Sequence, residues 1–401
     1  MERLFSHSLR TRLRTISTNQ IGNLQERLIK RISITNNAMF LVNRVVALLH
    51  TRKDGATVQP FFTSQFYRHS LKGLILGCAF GILTLFCGIP IYLVETLIRP
   101  KKNPHLGDRT YTPFELDLPA ETVTFPPRTG NHNISGWFIS HPEATATILV
   151  CPGYRTSKAD TLGISRFLWK AGYAVLVFEY YGHGAEVGTP VTLGYREMQD
   201  FLGAVDYVQR RIPNTRIGVM AYSMGAAIAI MCSEHTPQIE AFVADSAFAT
   251  HTGVVDYNVR RVLHIPSAPF LWLADRLLNW RAGYHFRQVE PLRDIAHIST
   301  RPILIIHGGK DTVVDPHDAI QLYAAVQGPK ELWIVPEADH CGAYFADRPA
   351  YVEKVVTFFK QHLEQQPLRP RLLERFPSEY AGTGDAQARL TTPHHTKTSA
   401  A

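Results

Sequence analysis

The chain lacks most marks of metal, redox or nucleotide chemistry. Its five cysteines (Cys78, Cys87, Cys151, Cys232 and Cys341) include no CxxC pair, so neither a disulfide framework nor a thiolate metal site is expected. No GxxxxGK[ST] loop and no HExxH helix occur, so no nucleotide or zinc is implied. Gly182, Gly184 and Gly188 have the wrong spacing for a dinucleotide fingerprint and follow a strand too late in the order. His394 and His395 are two isolated imidazoles in a polar tail, not a ligand set. No cofactor and no metal are expected. Acidic residues are scarce at the start: residues 1–72 hold three, against twelve lysines and arginines, in a chain of formal charge +8. The remainder is therefore close to neutral. A basic arm suits anionic lipid or nucleic acid, and the apolar segment beside it favours membrane lipid, with no nucleic-acid partner.

That apolar segment, Gly73 to Val94, carries no charge. At about 1.5 Å per residue it spans roughly 33 Å, close to the hydrocarbon thickness of a bilayer. Pro90 does not argue against a spanning helix, because such helices tolerate proline. The segment lies too far from Met1 for a cleavable signal and is expected to persist as an anchor. The expected organisation is a basic region at 1–70, a transmembrane helix at 71–98, a linker at 99–121, a globular domain at 122–364 and a disordered tail at 365–401. Residues 38–49 read as an interfacial helix or as a short packed one. Positive residues close to the span tie, with Arg52, Lys53, Arg68 and Lys72 before it and Arg99, Lys101, Lys102 and Arg109 after it. The wider basic arm favours a cytoplasmic N-terminus, which puts the globular domain on the non-cytoplasmic side. A chain starting near Asn103 is expected to be soluble and to work without the anchor.

From Thr122 onward, short β-branched runs alternate with helix-like stretches. The runs are Val123–Phe125, Ile134–Ile139, Thr147–Cys151, Ala174–Phe178, Ile217–Ala221, Ala241–Ala244, Ile303–Ile306 and Leu332–Val335. The later ones are almost wholly apolar, as parallel strands buried on both faces must be. With helical candidates at 160–171, 195–211 and 224–233, the pattern implies an α/β fold with a mostly parallel sheet.

The strongest chemical signal is Ala221-Tyr222-Ser223-Met224-Gly225, directly after an apolar strand and before a small-residue helix. A serine there sits on a tight turn that lifts its hydroxyl above the sheet, and small neighbours let strand and helix nearly touch. Ala221 replaces the first glycine of the usual G-x-S-x-G. A nucleophilic serine needs a base, and the base needs an orienting carboxylate. The strand 303–306 delivers Asp311, and the strand 332–335 delivers His340. Asp245 and Asp315 are the alternative acids, with Asp311 favoured by its Gly-Lys-Asp-Thr context. Cys151-Pro152-Gly153-Tyr154 supplies a glycine turn that aims the Tyr154 N–H at an oxyanion, with the Met224 N–H as second donor. Ser246 reads as a packing residue. Cys341 is an improbable nucleophile, since sequence neighbours such as His340 and Cys341 rarely face each other.

On these motifs, the stretch from Thr122 to Glu364 resembles the α/β-hydrolase superfamily, in its serine aminopeptidase-like and esterase/lipase-like branch. Phe178-Glu179-Tyr180-Tyr181-Gly182-His183-Gly184 is similar to that branch's D-x-R-G-x-G segment, with Glu179 for Asp and Tyr181 for Arg. Asp245-Ser246-Ala247-Phe248 resembles the segment after its sixth strand. The resemblance implies an α/β-hydrolase fold with helices on both faces and a helical lid at about 250–293. It implies cleavage of a carboxylic ester or related acyl bond (EC 3.1.1) by Ser223, His340 and Asp311, acting on an acyl-bearing small molecule or a lipid-like substrate. The same three residues serve peptide or thioester cleavage, and a silent membrane scaffold is the alternative outside enzymes. Within the lid, residues 270–280 repeat apolar positions at helical spacing, reading either as a packed helix or as the cap of an acyl pocket.

Overall fold

The computed structural model describes residues 64–99, 111–184, 190–264 and 266–364. The 38–49 segment and the His394–His395 tail lie outside the described residues. Each apolar run expected to be a strand is one, most of them one to three residues longer than the apolar core alone. The strands are β1 (Ala120–Phe125), β2 (Ile134–Ile139), β3 (Ala146–Cys151), β4 (Ala174–Phe178), β5 (Arg216–Tyr222), β6 (Ile239–Asp245), β7 (Ile303–Gly308) and β8 (Lys330–Val335). They form one sheet in the order β1-β2-β4-β3-β5-β6-β7-β8. β2 pairs antiparallel with β1 and β4, and the pairings from β4 through β8 are all parallel.

Side chains alternate across a strand, so a run that is apolar at every position needs a cover on both faces. In β3, Leu149 and Cys151 enter one core while Ile148 and Val150 enter the other. In β7, Ile303 and Ile305 face the first and Leu304 and Ile306 the second. The first core is closed by helices Glu197–Arg211 (α3), Met224–Met231 (α4) and Pro316–Ala325 (α7). The second is closed by Leu162–Lys170 (α2) and Arg348–Phe359 (α8). The α3 helix has Glu197 and Asp200 in its first turn and Arg210 and Arg211 in its last, a charge order that complements the helix dipole.

Two further helices, His251–Leu263 (α5) and Ala268–Ala282 (α6), lie in the chain between β6 and β7. Thr250 caps α5 by accepting from the Gly253 N–H, and α6 stops at Gly283, whose φ of +78° suits glycine. Tyr257 and Asn258 of α5 donate to the carbonyls of Asp311 and Val313, tying this lid to the loop after β7.

The N-terminal helix, α1, runs from Ser64 to Ile98, with Pro90 inside it. From Lys72 it is long and apolar enough to cross a membrane, and only 6% of its most apolar window is buried. Its last turns behave differently. Val94 and Ile98 are buried in the first core, Glu95 pairs with Arg281 of α6 at 2.7 Å, and the Val191 N–H donates to the Ile98 carbonyl. Residues 94–98 thus belong to the packing of the domain, which alters the expectation for a chain starting at Asn103. Such a chain exposes the surface that Val94 and Ile98 cover, worth roughly 1.5–3 kcal/mol per side chain. It is expected to unfold at clearly lower urea concentration than a chain starting at Ser64, both measured in one detergent. Equal midpoints would show that the contact is not stabilising.

Candidate active site

Four loops at the C-terminal ends of parallel strands meet at one place, where open α/β sheets put their sites. Ser223 follows β5 with φ +50°, a conformation that L side chains rarely adopt. The turn is held by the Ser223 N–H donating to the Asp245 carbonyl and by α4 starting at the next residue. Gly225 explains why that turn needs glycine: a Cβ there would lie 2.5 Å from the Pro152 oxygen and 2.7 Å from that of Cys151. Backbone cannot yield as a side-chain tip can, so Gly225→Ala is expected to cost about 1–3 kcal/mol of stability and to displace Ser223. A wild-type urea midpoint and wild-type rate in that variant would contradict it. The Ala221 methyl is accommodated, buried in the first core.

His340 bridges the other two side chains. Its Nε2 lies 2.9 Å from Ser223 Oγ and its Nδ1 lies 2.7 Å from Asp311 Oδ2. An ionised carboxylate only accepts, so Nδ1 carries the proton and Nε2 is free to accept from the serine hydroxyl. Asp311 Oδ1 accepts from the N–H groups of Val313 and Val314 at 2.8 and 2.9 Å. Asp339 Oδ1 accepts from the His340 N–H at 2.7 Å and from Thr312, which fixes the histidine loop against the acid loop. Burial by itself would push the Asp311 carboxyl up. Hydrogen bonds from His307 and His340, the charge on His340 and the Val314 N–H instead hold it well below the usual carboxylate range. His340 is held well above its ordinary value: burial lowers it, whereas Cys341 and the Asp311 carboxylate raise it. Burial pushes the Cys341 thiol up, so at neutral pH the sulfur is uncharged and Asp311 is the operative partner.

The competing acids are engaged elsewhere. Asp245 is fully buried and accepts from Tyr351 Oη at 2.7 Å and from Ser246 Oγ at 3.0 Å. Asp315 caps α7 by accepting from the His317 N–H. Cys341 has φ +51°, and its N–H donates to Ser246 Oγ, an anchoring contact. The protonated state of the Cys341 thiol disfavours it as a nucleophile.

Sequence reasoning missed His307 and Tyr257. His307 is wholly buried on β7, with Nε2 at 3.2 Å from Asp311 Oδ2. A histidine inside an apolar strand, four residues before the acid, was the available signal. Tyr154 follows the Pro152-Gly153 turn, and a Cβ on Gly153 would stand 3.2 Å from Ser223 Cβ, so this loop lies directly against the serine. Met224 opens α4, where the first N–H groups of a helix have no acceptor within it. The Tyr154 hydroxyl lies 3.0 and 2.8 Å from the carbonyl oxygens of Thr96 and Leu97, sharing its proton with the last turn of α1. Among the described residues, no cluster of histidine, cysteine or carboxylate side chains is suited to a metal ion.

A largely parallel sheet that carries serine, aspartate and histidine on its C-terminal loops, under a helical lid, defines an α/β hydrolase, and this protein is one. Residues 165–366, half of the chain, match the model of the prolyl oligopeptidase family, and the chain belongs to that family. Its enzymatic class is that of hydrolases of the esterase and peptidase type. Among similar proteins, YqkD of Bacillus subtilis is 28% identical over 291 residues, which is 71% of this chain and 92% of that one. YfhR of Salmonella typhi is 28% identical over 321 residues, 75% of this chain and 99% of its own. The rat lysophosphatidylserine lipase ABHD12 is 28% identical over 164 residues, 39% of each chain. In fold, the chain is similar to the Pyrococcus furiosus esterase Pf2001, with a TM-score of 0.55 at 24% identity, covering 67% of this chain and 98% of that one. It is similar also to the Pyrococcus horikoshii acylaminoacyl peptidase, with a TM-score of 0.50 at 16% identity, covering 69% and 45%.

Proposed function

We propose that the protein is a membrane-anchored serine hydrolase of the carboxylesterase or lipase type (EC 3.1.1), cleaving an acyl ester through an acyl-enzyme. The observation that carries this reading is the continuous chain from Ser223 Oγ through both His340 nitrogens to Asp311. In the proposed route Ser223 attacks the acyl carbon as His340 Nε2 takes its proton. Asp311 holds the tautomer and stabilises the imidazolium, and the N–H groups of Tyr154 and Met224 receive the oxyanion. His340 then gives the proton to the departing alcohol, and water releases the acyl group by the same steps in reverse.

An ester is favoured over a peptide by the apolar lid and by the partial match to a lysophosphatidylserine lipase. Peptide cleavage is the second reading, supported by the family match. The α1 helix is the anchor in this scheme, with the N-terminus cytoplasmic and the hydrolase domain on the other side. The test is labelling with a fluorophosphonate. Wild type should be labelled and Ser223→Ala should not, and the wild-type enzyme should turn over p-nitrophenyl acyl esters faster than aminoacyl p-nitroanilides. Labelling that survives Ser223→Ala overturns the assignment, and a preference for the anilides replaces ester by peptide.

A further inference from the structure

The α6 helix runs parallel to the end of α1, and the pairing can be read in height. At one end the rings of Phe86 and Phe270 stand 5.6 Å apart, and at the other Arg281 pairs with Glu95. These intervals advance in the same direction by about 14 Å along α1 and about 17 Å along α6, at ~1.5 Å per residue. Phe86 lies about 21 Å along the axis from Lys72 on the same measure. With Lys72 at one boundary of a hydrocarbon layer about 30 Å thick, the other boundary falls near Tyr92, about 9 Å beyond Phe86. The start of α6 then lies below that boundary, and its end, at the level of Glu95, lies just above it.

The side chains are distributed to match. Trp272, near the start of α6, is 62% exposed, and the preceding end of α5 exposes Val262 and Leu263. Large apolar groups left in water at one tip of a lid need an apolar cover. Trp280, 78% exposed, sits close to the level of Tyr92, where aromatic rings gather at a membrane surface. Charges accompany the aromatics at those heights: Arg276 lies over Trp272 and Arg281 over Trp280, at 5.6 and 5.7 Å from the ring centroids. A guanidinium on an indole keeps its apolar stem covered while its head reaches lipid phosphate.

We propose that the tip formed by the end of α5 and the start of α6 is a second membrane contact. It is immersed in the leaflet next to α1, so that acyl substrate reaches Ser223 from the bilayer. The inference rests on the reading of α1 as a membrane span. The occupant is lipid because Trp272 is exposed at a depth between Leu83 and Ile91, two apolar residues that α1 leaves exposed. A surface of that kind binds by buried apolar area at a depth of about 5–10 Å, which is the depth the helix pairing gives.

The test uses the full chain in phosphatidylcholine vesicles whose acyl chains are brominated near the headgroup end. Bromolipid is expected to quench a fraction of the tryptophan emission, and Trp272→Phe should remove most of that fraction, Trp280→Phe less. Trp272→Glu should lower hydrolysis of a vesicle-borne long-chain ester at least tenfold, while a soluble short ester is turned over at the wild-type rate. If wild type and Trp272→Phe are quenched alike while the chain resists alkaline extraction, the lid contact is wrong although the span stands. If alkali releases the chain, the span and the lid contact fall together. A tryptophan shielded from aqueous iodide but untouched by bromolipid would make this face a protein interface and would equally overturn the proposal.

Discussion

Ser223→Ala is expected to lower kcat/KM on short p-nitrophenyl esters by a factor on the order of 10⁴ or more. The alanine removes the hydroxyl that lies 2.9 Å from His340 Nε2. Folding should change little, because the strain at φ +50° is a property of the turn and an alanine meets it no worse than a serine does. The urea midpoint is therefore the control, and it should stay within about 0.5 kcal/mol of wild type, as for a substitution outside packed contacts. A rate within tenfold of wild type would remove Ser223 from the mechanism. Ser246→Ala is the companion: its hydroxyl ties Asp245 to the histidine loop, so it should shift stability more than chemistry.

The second large effect concerns Asp311. Asp311→Asn replaces an acceptor by an amide that can present an N–H to His340 Nδ1, which favours the tautomer unable to accept from Ser223. A loss on the order of 10³–10⁴ in kcat is expected with KM nearly unchanged, since no substrate contact is altered. The pH profile gives an independent readout. Only neutral His340 accepts the serine proton, and the Asp311 carboxylate holds His340 above its ordinary value of about 6.5. For wild type, kcat/KM should therefore rise with pH through a midpoint above that value and level off once the imidazole is neutral. In Asp311→Asn the residual activity should rise at lower pH, because the anion that stabilised the imidazolium is gone. A near-wild-type Asp311→Asn beside a folded, inactive Asp245→Asn would transfer the role to the end of β6. The bonds from Tyr351 and Ser246 to Asp245 argue that its substitution acts on folding instead.

The sheet is legible in the residue pattern alone. A strand buried on both faces is apolar at nearly every position, so β3 to β7 stand out as runs that no half-exposed element would tolerate. The pattern also placed Ser223, Asp311 and His340 on strand-end loops, because tight turns after apolar runs are local features written in glycine and small residues. It left the choice among Asp245, Asp311 and Asp315 to context alone. Which carboxylate meets His340 depends on loops brought together from residues far apart in sequence, and only the fold decides that contact.

Tertiary structure alone showed that His307 reaches Asp311 from inside the sheet. It also showed that the last turns of α1 face the hydrolase core, with Val94 and Ile98 buried in it. Hydropathy separates an apolar span from a polar domain, but it cannot distinguish a residue facing lipid from one facing a protein core. Leu76 and Phe80 are exposed whereas Val94 and Ile98 are buried in the hydrolase core, and to hydropathy all four are simply apolar. The last carbonyls of a helix need donors wherever they come from, and here Tyr154, one residue past the Pro152-Gly153 turn, supplies one. That long-range contact joins α1 to the loop against Ser223, and no local pattern in either segment encodes it.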